Sequence, residues 1–160
     1  MTIMLDYYLD GDTQVVEEIL RSEVPSIDEA KVYEIMSGYD TSTAHTYLES
    51  TMLEAGISIP IVHDKYSYCH GRSTLAVNYD SVAIYLNTGT ELDKVLLNEL
   101  GKYHKDVVVI DSDSSILGEY ETLVKCMYLT KYIAEEREKD LSGVDYNPVV
   151  KKIYKYNGGL

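Results

Sequence analysis

The chain has 160 residues, with 14 Lys and Arg against 27 Asp and Glu, a formal charge of −13 at pH 7. That length suits one compact domain, and so large an acidic excess repels a phosphodiester backbone, which excludes nucleic acid as the main partner. No run approaches the ~18 apolar residues of a membrane span, and residues 1–11 carry Asp6 and Asp10 without the basic start of a secretory signal, so a cytoplasmic protein with no membrane partner is expected.

The first 30 residues read as a helical segment: Asp12 and Thr13 offer a cap before Val15, Val16, Ile19 and Leu20, and Val24-Pro25-Ser26 ends the stripe. Residues 31–139 then alternate between two periodicities. Lys31 to Ser37 is a strand that stops at Gly38; Thr41, Ser42 and Thr43 are candidate caps for a helix through Leu48, Met52 and Ala55, closed by Gly56 at the left-handed position. Ile57 to Val62 is a strand placed near a sheet edge by Pro60, which lacks a donor, and His63 to Asn78 is a long polar connection. Val82 to Leu86 is a buried strand, followed by Asn87-Thr88-Gly89-Thr90 and a helix carrying Leu92, Val95, Leu96 and Leu100. Val107 to Ile110 is a further buried strand. After the loop Asp111 to Ser115, a helix of about twenty residues runs from Ile116 toward Lys139, with Leu117, Tyr120, Val124, Met127 and Tyr128 on its apolar side. Residues 140–160 form a tail expected to dock on the domain.

Strands alternating with helices imply an α/β fold, a parallel sheet of about four strands with helices on both faces. In such a sheet ligands bind beyond the carboxyl ends of the strands. The loops that matter are therefore Gly38 to Thr43, His63 to Thr74, Asn87 to Thr90 and Asp111 to Ser115. All 16 aromatic residues are Tyr. Because a buried Tyr needs a partner for its hydroxyl, many of these rings are expected at the edge of the core or at a subunit interface.

Asn87-Thr88-Gly89-Thr90 joins a strand to a helix start, where free amides, the helix dipole, two hydroxyls and a permissive glycine would cradle a phosphate; the same residues would equally serve as a plain helix cap. There is no Walker lysine and no G-x-G-x-x-G, which removes most support for nucleoside triphosphates and dinucleotides. Cys69-His70-Gly71-Arg72 has too few residues between Cys and Arg for a phosphatase loop. His63, Asp64, Cys69 and His70, and the helical pair His45 and Glu49, show no metal-ligand spacing, so no metal and no other cofactor is expected and these read as solvated residues. Cys69 and Cys126 are too few for a disulfide framework. Glu54 stands at a helix C-terminus, where the negative end of the dipole raises the cost of its charge, a setting that suits a general acid or base.

Taken together, Glu54, the strand Ile57 to Val62 and Tyr68-Cys69-His70-Gly71, with 70 − 54 = 16 positions from the acid to the His-Gly pair, resemble the sugar isomerase (SIS) domain family. The likeness is to the second half of tandem members such as the isomerase part of glucosamine-6-phosphate synthase and the fructosamine-phosphate deglycases. It continues to Asp145-Tyr146-Asn147-Pro148 and the lysines Lys151 and Lys152, covering residues 31–156. The resemblance implies a three-layer α/β/α sandwich with a mostly parallel sheet of four to five strands. It also implies a phosphosugar ligand held at a dimer interface, and isomerase or deglycase chemistry by proton transfer. Glu54 would be the base, His70 would reach in from a partner subunit, Lys152 would lie in the site, Asn87, Thr88, Gly89 and Thr90 would hold the phosphate, and Arg72 would neutralise charge. Arg72 stands where many relatives have Pro, Ser67 where many have Glu, and no tandem partner domain is visible. The other readings are therefore a noncatalytic sugar-phosphate-binding or interaction module, or half of a split SIS enzyme completed by a separate chain.

Overall fold

The computed structural model describes residues 30–76, 78 and 80–143. The expected N-terminal helix, the Asp145 to Pro148 segment, Lys151 and Lys152 lie outside the described residues. Four strands, β1 (Val32–Ser37), β2 (Ile59–Asp64), β3 (Ser81–Asn87) and β4 (Asp106–Asp111), form one sheet in the order β2-β1-β3-β4. Every pairing is parallel, with Ile35 opposite Val62 and Ile84, and Ile84 opposite Val108. Helix α1 (Ser42–Glu54) joins β1 to β2, α2 (Glu91–Leu100) joins β3 to β4, and α3 (Ile116–Glu136) follows β4. Between β2 and β3 the chain makes a broken helical segment of three short pieces, Lys65–Ser67, Tyr68–Arg72 and Ser73–Ala76. This is an α/β sandwich of three layers, and β2 is the edge strand that Pro60 predicts.

Local chemistry sets the element ends. After α1 the backbone turns left-handed at Gly56 (φ 61°), where Gly56 N donates to Leu53 O at 3.1 Å and Ile57 N to Met52 O at 3.0 Å, satisfying the last carbonyls of the helix. Thr90 caps α2 and Ser115 caps α3, its Oγ accepting from Gly118 N at 3.0 Å.

Alternation along the strands sends successive side chains to opposite faces. On one face Tyr33 and Ile35 of β1, Val82, Ile84 and Leu86 of β3, and Val108 and Ile110 of β4 pack against Ala44, Leu48 and Met52 of α1 and Cys126, Leu129 and Ile133 of α3. On the other, Met36, Ala83 and Tyr85 meet Tyr68, Leu96 and Leu100.

Two expectations need correction. The strand expected at Ile57 to Val62 begins at Ile59 and runs on to Asp64, so His63 is a buried strand residue rather than part of a polar connection, and that connection is largely helical. The buried side of α3 shares Val124 with the expected stripe, but Tyr128 is exposed, Leu117, Tyr120 and Met127 are half-buried, and Thr122 and Thr130 lie fully inside. Those two hydroxyls donate at 2.8 Å to the carbonyls of Gly118 and Cys126 one turn back. Satisfied within the helix, they can face the core, which a count of apolar residues does not reveal.

Candidate functional site

From β1 the chain crosses to β2 on one side, and from β3 it crosses to β4 on the other, so the crevice between the carboxyl ends of β1 and β3 is a topological switch point. A pocket of about 200 Å³ opens there, lined by Gly38, Tyr39 and Asp40 after β1, Lys65 and Tyr66 after β2, and Thr88, Thr90 and Leu92 around the start of α2. Tyr39 and Tyr66 project from its rim, 96% and 69% exposed, whereas Lys65 and Thr88 are buried.

Asp93 lies behind the pocket, also buried. It occupies the third position of α2, and its carboxylate closes back over the loop before it. Oδ2 accepts from Thr90 N at 2.9 Å, Thr88 N at 3.2 Å and Thr88 Oγ1 at 3.3 Å. Oδ1 accepts from Tyr85 Oη at 2.7 Å and pairs with Lys65 Nζ at 2.8 Å. Asp93 N in turn donates to Thr90 Oγ1 at 3.2 Å, completing a reciprocal cap. Burial alone would push Asp93 up, but Lys65, Tyr85 and Thr90 hold its carboxyl well below the usual carboxylate range; the same burial and the adjacent carboxylate push the Tyr85 phenol up. Lys65 Nζ also stands 5.0 Å from the centre of the Tyr85 ring.

A second polar cluster lies on the same face of the sheet. Glu34 is fully buried; His63 Nε2 is 2.8 Å from its Oε2, and Ser81 Oγ donates to its Oε1 at 2.8 Å. Ser81 Oγ is also 3.0 Å from His104 Nδ1, and His104 Nε2 is 2.9 Å from Tyr68 Oη. With the Ser81 proton on Glu34, His104 Nδ1 must donate to Ser81 and Nε2 must accept from Tyr68. Burial pushes His104 below its ordinary value, while hydrogen bonds from His63 and Ser81 bring Glu34 below its own despite burial. His63 Nδ1 is buried without a hydrogen-bond partner.

Among the described residues, those singled out from sequence do not converge within one chain. Asn87, Thr88, Gly89 and Thr90 do form the strand-to-helix loop at the pocket, with Gly89 left-handed (φ 79°). Their amides, however, are spent internally: Gly89 N donates to Asn87 Oδ1 at 3.1 Å, and the Thr88 and Thr90 amides go to Asp93. Asn87 Nδ2 reaches across to Asp111 Oδ1 at 2.6 Å. Glu54 is exposed at the far end of α1, in the layer with α3 and on the amino edge of the sheet, opposite the pocket. His70 and Arg72 are exposed on the broken segment of the other layer, His70 beside the kink at Gly71 (φ 104°). Cys69 is exposed and Cys126 buried, both as free thiols. His45 Nδ1 meets Ser37 Oγ at 2.8 Å, and among the described residues no group of three or more His, Cys, Asp or Glu is arranged to hold a metal ion.

Sequence reasoning passed over Lys65, Asp93, Glu34, Ser81 and His104. Two signals were present. Thr90-x-x-Asp93 has capping-box spacing, and Glu34 interrupts an otherwise apolar strand that β-sheet burial on both faces would enclose.

The class that this architecture defines is a three-layer α/β sandwich on an all-parallel sheet, and it shares that fold with several solved structures. A structure of Escherichia coli CFT073 c3406 in complex with a sugar-phosphate ligand superposes with a TM-score of 0.60 at 14% identity, covering 96% of each chain. Glucosamine-6-phosphate deaminase from Thermotoga maritima gives 0.60 at 14% identity over 83% of this chain and 43% of that one. The C-terminal domain of glucosamine-fructose-6-phosphate aminotransferase from Francisella tularensis gives 0.53 at 14%, over 83% and 42%. The chain thus spans less than half the length of the latter two. No protein-family model and no curated sequence matches it. At these identities the likeness establishes the fold, and the described region has the SIS fold. Among the described residues no helix is long and apolar enough to cross a membrane.

Proposed function

We propose that this chain is an SIS-type module that handles sugar phosphates together with a second SIS unit. The observation that carries the reading is the division of labour within the chain: the loop at the switch point has its amides closed by Asp93 and Asn87, while Glu54 stands exposed in a different layer. Glu54 has neighbours suited to a covered surface, since Leu53 and Ile59 on either side of that turn are 57% and 60% exposed and β2 is the sheet edge. A second unit seated there would bring the phosphate cradle, with Glu54 serving proton transfer between adjacent sugar carbons and His70 and Lys152 contributing from the assembled interface.

The test is thermal unfolding of the chain with hexose, hexosamine and fructosamine phosphates, each beside its unphosphorylated sugar. Ligand binding to the native state would raise the midpoint by mass action, by about 2.7 kcal/mol of stability at a hundred times the dissociation constant. The expected result for the chain alone is no phosphate-dependent shift. Turnover of a sugar phosphate by the purified chain would overturn the reading.

One observation favours a second reading, a self-sufficient homodimeric isomerase. The c3406 structure with its sugar-phosphate ligand is covered over 96% of its length, so an SIS-fold chain of this size carries such a ligand there. That reading places the phosphate on Asn87 to Thr90 beside Arg72 and needs Asp93 to swing away. Loss of turnover in Glu54→Gln, in a chain that sediments as a dimer, would select it.

A further inference from the structure

We propose that Asp93 is the occupant of the chain's own anion cradle and makes the β3–α2 loop selective against phosphate, leaving the switch-point pocket to the uncharged hydroxyl-bearing part of a ligand. Five donors that a phosphate would require are directed at one carboxylate, the Thr88 and Thr90 amides and the Thr88 hydroxyl on Oδ2, Tyr85 Oη and Lys65 Nζ on Oδ1, while the Gly89 amide is taken by Asn87 Oδ1. A carboxylate offers about four lone-pair sites, so these contacts saturate it, and both partners of the Lys65–Asp93 pair are buried with side-chain exposures of 4% and 1%. An incoming dianion would have to displace a buried charge that has lost its water, leaving it unpaired. Asp40 stands on the pocket wall as a further negative group: a β-carbon on Gly38 would lie 2.6 Å from its Oδ1 and 3.9 Å from Lys65 Nζ. With Asp40 and Asp93 against Lys65, the charge around the pocket is net negative. The exposed rings of Tyr39 and Tyr66 and the Asp40 oxygens instead suit a sugar ring that stacks and donates hydroxyls.

This deepens the proposed function and is tested apart from it. The readout is the amide resonances of Thr88, Gly89 and Thr90 in the full chain titrated with inorganic phosphate. In the wild type they are expected to stay unmoved through the millimolar range. Asp93→Asn keeps the shape, removes the charge and releases Lys65, and is expected to bind phosphate at least about tenfold more tightly, since one buried unit charge is removed next to the anion. Adding Lys65→Met to that variant should abolish the gain. If Asp93→Asn does not fold in phosphate-free buffer, phosphate should restore its folding well beyond what it does for Leu48→Ala, a variant destabilised elsewhere. Saturable movement of the wild-type loop amides by phosphate, a folded Asp93→Asn with no gain, or an unfolded one that phosphate fails to rescue would each overturn the proposal. Turnover of sugar phosphate by the wild-type chain with these amides unmoved would defeat only the half-site reading.

Discussion

The two faces of the sheet are built on different principles. The face under α1 and α3 is a hydrocarbon core of Tyr33, Ile35, Ile84, Leu86, Leu48, Met52 and Leu129, all but fully buried. The face under α2 and the broken segment buries Glu34, His63, Ser81, His104, Lys65 and Asp93, wired into two clusters. The first face gains stability from each apolar atom removed from water and tolerates conservative exchange. The second gains little net energy from each buried polar contact but loses much when one partner is removed, because the remaining group keeps its desolvation cost. The switch-point pocket adjoins the second face, so its shape and charge depend on groups that hold one another in place.

The comparison is sharpened most by truncating one residue in each face. Glu34→Ala leaves His63 and Ser81 without their acceptor and is expected to cost roughly 3–5 kcal/mol, whereas Leu48→Ala opens a cavity at a cost of roughly 2–5 kcal/mol. Urea denaturation reads both, and a Glu34→Ala loss well below that of Leu48→Ala would break the contrast.

Acid should act on the polar face first. Burial depresses His104 below its ordinary 6.5, so the unfolded chain takes up a proton there before the folded one does. Stability is therefore full above that value and falls as pH drops through the folded value of His104. Glu34 and Asp93, held below their ordinary 4.5 and 3.8, extend the loss further into acid. Urea midpoints followed from about pH 8 to about pH 2 should decline in two stages, and His104→Asn should remove the upper one. A flat profile down to the carboxylate range would show that the His104 cluster does not contribute.

Smaller effects follow at the pocket. Thr90→Ala removes the α2 cap and is expected to cost about 1 kcal/mol. Tyr39→Ala, on a ring 96% exposed, should leave thermal stability unchanged within about 0.5 kcal/mol. A larger loss at Tyr39 than at Thr90 would mean that the rim ring packs against something in solution.

Much of the fold is legible in residue order. The strands at β1, β3 and β4, Gly56 behind α1 and the edge position signalled by Pro60 all rest on local chemistry, and the parallel order follows from alternation of strand and helix. The caps expected at Thr41, Ser42 and Thr43 are not made: α1 starts without a side-chain cap, because Thr41 Oγ1 turns back to Gly38 and Thr43 Oγ1 donates to Glu119. The candidate site is legible only in part. The loop Asn87 to Thr90 reads correctly as a strand-to-helix turn, but its amides read as open: the capping-box spacing of Thr90 and Asp93 was the local signal, and no local pattern shows that Asp93 is buried and partnered by Lys65 and Tyr85 from two other elements. His63 reads as a loop residue because Asp64 and Lys65 follow it, and only the pairing of Met36 with His63 reveals that it faces inward toward Glu34.

Within the described residues the sequence by itself determined the order of the strands and of the three long helices, because periodicity and left-handed glycines act over a few residues; it did not reveal the helical pieces between β2 and β3. Only the tertiary structure decided which charges are buried, which carboxylate fills the anion cradle and that Glu54 and His70 lie in different layers. Those outcomes depend on what packs across the sheet, and a buried charge is defined by partners that the chain brings together from far apart.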